Sequence, residues 1–108
     1  MIDLRPELLA MVRDILAREA ADLAVYAYGS RVTGGARPYS DLDLLVEGDS
    51  RVSLARLLAL RSAFDESDLP IKVDVSDWRA LSPGFQAAIG RDRELLQQPH
   101  ASRPSSPG

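Results

Sequence analysis

The chain has 108 residues, 45% of them apolar and 27% charged, and a formal net charge of −3. That length holds one domain's core rather than two, and the negative balance argues against a general nucleic-acid binder, which displays a basic field. The absence of cysteine excludes a disulfide framework and a thiolate metal site, and no apolar run approaches the ~20 residues that span a bilayer.

Residues 6–19 place Leu8, Leu9, Val12, Ile15 and Leu16 at helical spacing, with Pro6 suited to a first-turn position. The start, Met1-Ile2-Asp3-Leu4-Arg5, lacks the basic stretch and apolar run of a signal peptide, so a cytoplasmic protein is expected. Residues 23–28, Leu-Ala-Val-Tyr-Ala-Tyr, read as a buried strand bounded by Gly29. Residues 29–40 hold three glycines, a proline and two serines and read as a loop with room for one helical turn after Gly29. Residues 41–46 form a second strand, residues 53–66 a second amphipathic helix with Leu54, Leu57 and Leu58 as core positions beside Leu8, Leu9 and Val12, and residues 71–75 a third strand expected to be central. Ser82-Pro83 caps and opens a last helix that carries Phe85, Ala88 and Ile89 and stops near Gly90. Trp78 and Phe85 read as core or interface contacts. Residues 97–108 have almost no apolar content and are expected to form a disordered tail behind a domain at residues 1–96. The order describes a small α/β (α+β) sandwich on a short sheet.

The informative stretch runs from Gly29-Ser30 to Asp41-Leu42-Asp43. Strand alternation puts Asp41 and Asp43 on one face with Cα atoms ~7 Å apart, and Leu42 and Leu44 on the other. Two carboxylates side by side repel unless a cation joins them. With hard oxygen donors and no cysteine or well-placed histidine, Mg²⁺ fits, keeping phosphate oxygens and waters beside the protein's carboxylates. The sole histidine, His100, falls in the tail. Gly29 lets a phosphate approach the backbone, and the Ser30 hydroxyl can donate to a phosphate oxygen. Asp74 lies between Val73 and Val75 and shares a face with Lys72 and Ser76. It reads as a third metal ligand and as base toward an acceptor hydroxyl, or else as a surface acid. Neighbouring Asp77 is the alternative ligand, or caps the turn before Trp78. Arg31 and Arg37 are available to the triphosphate or the acceptor, or to surface ion pairs; Tyr39 is available to a base, or to packing on its own domain.

Glycine-serine, a spacer and Asp-x-Asp resembles the signature of the DNA polymerase beta-type nucleotidyltransferase superfamily. The ten-residue spacer, Arg31 to Ser40, is similar to that of its minimal nucleotidyltransferase (MNT) branch. The likeness covers roughly residues 5–95. It implies a short mixed sheet flanked by helices, and two Mg²⁺ ions held by Asp41, Asp43 and Asp74. It also implies Gly29 and Ser30, with Arg31 beside them, on the triphosphate of ATP. Many members of the branch are antitoxins that transfer AMP to a tyrosine of a HEPN-domain toxin, so a toxin partner is implied as well. Kanamycin-type nucleotidyltransferases share the motif but carry a further helical domain, and a domain this small favours an acceptor that brings its own surface. Two other functions remain open at this level: an antitoxin that only occludes its partner, and the catalytic subunit of a small-molecule nucleotidyltransferase.

Overall fold

The computed structural model describes residues 2–35 and 40–99. Helix α1 (Pro6–Glu19) opens on its proline, whose missing N–H would have no partner in the first turn, and turns Val12, Ile15 and Leu16 inward. Strand β1 (Ala24–Tyr28) alternates, burying Val25 and Ala27 and presenting Tyr26 and Tyr28 to the other side. One helical turn, α2 (Ser30–Thr33), follows Gly29, and β2 (Leu42–Glu47) returns antiparallel to β1. Helix α3 (Leu54–Asp65) is capped by Ser53, whose hydroxyl accepts from the Arg56 N–H. Strand β3 (Val73–Asp77) runs parallel to β2 and passes into a 3₁₀ turn (Trp78–Ala80). Ser82 caps α4 (Pro83–Gly90) at the Phe85 N–H, and β4 (Glu94–Gln97) closes the sheet antiparallel to β1.

The strand order is β3-β2-β1-β4. One face carries Val25, Leu42, Leu44, Val46 and Val75, all fully buried, against α1 and α3. Each such side chain contributes roughly 1.5–3 kcal/mol, so this layer holds the fold. Helix α4 has no buried residue and lies over the opposite face, the face of Tyr28, Asp43, Asp74 and Ser76.

Three expectations change. The third strand lies two residues later than expected and at a sheet edge, not the centre. Leu42 N–H bonds to the Lys72 carbonyl, so by alternation the Val75 carbonyl faces outward, where Arg61 of α3 covers it with Nε and Nη2 at 3.2 and 2.7 Å. Leu54 and Leu58 are not core: they are 68% and 50% exposed, because α3 is apolar on several sides and turns Leu60 and Phe64, flanked by Leu57 and Ala63, into the core. Gln97, read from sequence as tail, ends β4, and its amide donates to the Ala20 and Leu23 carbonyls at 2.9 and 3.1 Å. Residues 100–108, with His100, lie outside the described residues, as do Arg37 and Tyr39.

Candidate active site

Strand pairing builds the site as a row. Tyr28 of β1 stands opposite Asp43 of β2, and Asp43 stands opposite Asp74 of β3. The three share the face away from the core because their neighbours Ala27, Leu42, Leu44, Val73 and Val75 are drawn inward by burial. Asp41, two residues before Asp43, sits exposed at the mouth of the row.

Gly29 closes the end of the row. Its backbone has φ +82° and ψ −155°, a region that only glycine occupies without strain. A Cβ there would lie 2.6 Å from Asp43 Oδ2. The chain thus passes directly against this carboxylate before α2 begins at Ser30, which brings the glycine-serine turn beside Asp43.

The charges respond to one another. Burial raises the Asp43 pKa above the ordinary carboxylate range, and Asp74 and Asp41 raise it further. Burial also raises the Tyr28 pKa, with Asp43 and then Asp74 adding to the shift and the Ser76 side chain opposing it. The Tyr28 ring meets Phe85 edge to face, centroids 6.3 Å apart and planes at 84°. Asp74 faces Arg61, Oδ1 to Nη2 3.6 Å. Among the described residues, no three potential ligands are already gathered close enough to hold a metal ion. The donor set itself fits a hard divalent cation: oxygen only, with carboxylates whose mutual repulsion a cation relieves.

Two sequence alternatives take a definite position. Asp77 points to the core side, 3% exposed, and accepts from the Val52 N–H at 2.9 Å and the Arg79 N–H at 3.2 Å. It caps the 3₁₀ turn and is no candidate ligand. Asp77→Ala should lower stability by about 1–3 kcal/mol by orphaning a buried N–H, whereas Asp74→Asn should melt near wild type. Thermal denaturation of both variants checks this, and equal melting temperatures would refute the assignment.

Arg31 is the residue that the motif places next to the glycine-serine pair. It is 5% exposed, and its guanidinium donates to the Ser40 carbonyl at 3.1 and 2.9 Å and to the Asp3 carbonyl at 2.8 Å. A charge buried this deeply is held by such bonds, and they fix the chain just before Asp41. Tyr28, Ser76 and Arg61 are the members of the site that motif reading does not single out. Only Ser76 carried a signal, its shared face with Asp74; Tyr28 and Arg61 arrive through strand pairing and helix packing.

Below the row, the Arg93 guanidinium lies 4.0 Å from both the Tyr26 and Trp78 ring centroids and 3.5 Å from Glu47. This stack, with the Gln86 amide donating to the Trp78 carbonyl at 2.7 Å, ties α4 to the sheet.

Residues 9–98 match the nucleotidyltransferase domain family. The chain belongs to that family. This nucleotidyltransferase domain is 39% identical over 97 residues to a probable protein adenylyltransferase, MntA, of Haemophilus influenzae, covering 90% of this chain and 85% of the relative. Among solved structures it resembles a toxin–antitoxin complex determined with AMP-PNP, at TM-score 0.69 and 21% identity over 82% of this chain and 71% of that one. It also resembles a complex of tri-AMPylated Shewanella oneidensis HEPN toxin with MNT antitoxin, at TM-score 0.61 and 19% identity over 86% and 71%. The mixed sheet flanked by helices is therefore the nucleotidyltransferase fold that the motif implied. No helix among the described residues is long and apolar enough to cross a membrane.

Proposed function

We propose that this nucleotidyltransferase moves AMP from ATP onto a tyrosine hydroxyl of a partner HEPN toxin in the cytoplasm and silences it as an antitoxin. The observation that carries the reading is the convergence of the Gly29 backbone on Asp43 beside Asp74. The 39%-identical relative named as a probable protein adenylyltransferase supports it. So does the fold likeness to a complex holding an AMPylated HEPN toxin.

Two Mg²⁺ ions held by Asp41, Asp43 and Asp74 would neutralise phosphate charge and favour ionisation of the acceptor hydroxyl. Gly29 admits the triphosphate to the backbone, and Ser30 donates its hydroxyl to a phosphate oxygen. Asp74 takes the proton of the acceptor hydroxyl as its oxygen attacks the α-phosphorus in line. The α–β bridging bond breaks and pyrophosphate leaves, with positioning and charge neutralisation supplying most of the rate. Arg31 serves indirectly, by fixing the loop end before Asp41.

Intact mass of the partner after incubation with ATP and Mg²⁺ tests the reading. A gain of one or more AMP units supports it. A stable complex without gain would leave occlusion as the function, and transfer to a small hydroxyl compound alone would replace the protein acceptor. Ser30→Ala should weaken ATP binding by roughly 1.5–3 kcal/mol, the contribution of a hydrogen bond to a charged group, with little change in melting temperature. Calorimetric titration of ATP into both proteins checks it, and equal affinities would remove Ser30 from the site.

A further inference from the structure

We propose that Arg61 is a positioning residue that restrains the Asp74 carboxylate until a divalent cation arrives. The inference rests on the proposed metal-dependent function and deepens it. Arg61 comes from α3, on the core side, and reaches round the free edge of β3 to the acidic face. Nε and Nη2 both donate to the Val75 carbonyl, at 3.2 and 2.7 Å, which fixes the guanidinium in place. From there Nη2 stands 3.6 Å from Asp74 Oδ1, too far for a hydrogen bond and close enough for attraction. The pair is 40% and 48% exposed, so water weakens the attraction and a cation can outcompete it.

Asp43 and Asp74 stand opposite each other in the sheet. Asp74 is repelled by the Asp43 carboxylate opposite it and attracted by the guanidinium beside it, so the two effects favour the same placement. A cap on the sheet edge needs only a donor to the Val75 carbonyl; it does not need a positive charge. The charge has a consequence of its own, because it repels a bare cation entering the site. Nucleotide-free protein therefore binds divalent cations weakly. A cation that arrives with a triphosphate brings negative charge that offsets Arg61 and frees Asp74.

The experiment is Mn²⁺ binding to the full chain without nucleotide, read by electron paramagnetic resonance of free Mn²⁺. Arg61→Gln keeps an amide donor for the edge and removes the charge, and should bind Mn²⁺ about five-fold more tightly, the scale of one screened charge interaction. Arg61→Lys restores the charge and should return toward wild-type affinity. With Asn at position 74, the gain from Arg61→Gln should shrink, since the carboxylate that Arg61 restrains is gone. Arg61→Met, which keeps the aliphatic stem, serves if the Gln protein does not fold. Folded Gln and Met proteins with wild-type Mn²⁺ affinity would overturn the proposal, provided that Asp43→Asn weakens Mn²⁺ binding and so upholds the metal site. If Asp43→Asn leaves binding unchanged, the metal-site reading falls, and the Arg61 proposal falls with it.

Discussion

An Asp43→Asn protein should fold normally yet transfer AMP at least about a hundred-fold more slowly, in the range seen when one electrostatic group is removed from a site. Asp43 is the carboxylate on which Tyr28, Gly29 and Asp74 converge, and the substitution removes its charge at nearly constant volume. The same variant carries a pH signature. Its wild-type pKa is raised in the folded state, first by burial and then by Asp74 and Asp41. The protonated form is therefore favoured by folding, a contribution fully present below the unfolded value of about 3.9 and lost as pH rises through the folded value. Without metal, Asp43→Asn should gain stability over wild type as pH rises through that window, and hold the gain at neutral pH. Added Mg²⁺ should reverse the order, because only the wild type keeps the full ligand set. Melting curves from pH 3 to 8, with and without Mg²⁺, together with single-turnover transfer, read both effects. A variant that transfers at the wild-type rate would remove Asp43 from the chemistry.

Gly29→Ala should damage stability and activity together. At φ +82° and ψ −155° a side chain is strained by ~1–3 kcal/mol, and for a domain of this size each kcal/mol lowers the melting temperature by roughly 4–8 °C. The new methyl would also stand 2.6 Å from Asp43 Oδ2, so the backbone or the carboxylate must move. Transfer should remain impaired well below the melting temperature, where the protein is folded, and Mn²⁺ binding should weaken in parallel. An alanine protein with native melting but no transfer would mean that the carboxylate alone had yielded. One with native melting and full transfer would show that the close approach is dispensable.

The site's first half was legible because local rules govern it. Asp41 and Asp43 share a face by strand alternation, and Gly29-Ser30 at a fixed spacing bounds the same loop. The paired row was not legible, since a sequence does not state which residue of β1 or β3 stands opposite Asp43. Arg61 illustrates the same limit: only packing carries it from α3 round the sheet edge to the Val75 carbonyl. The motif places Arg31 beside the phosphates, whereas its burial and its hydrogen bonds to the Ser40 and Asp3 carbonyls come only from the fold. Helices α1 and α4 matched their expected bounds because Pro6, Ser82-Pro83 and Gly90 mark them. Helix α3 gave no clear inward face, with leucines at 54, 57, 58 and 60, and so Leu54 and Leu58 were misplaced. Strand β4 escaped notice because four residues flanked by charge carry no readable period.

Trp78 is the chain's single tryptophan, and it lies in the Arg93 stack rather than in the α1–α3 core. Intrinsic tryptophan emission therefore comes from one place, the seam that joins α4 to the acidic face of the sheet. Circular dichroism, by contrast, is dominated by α1 and α3 on the far side. The protein thus has separate optical signals for its two layers. A partner that lifts α4 alters the emission while leaving the helical signal nearly constant, and loss of the core reverses that ratio.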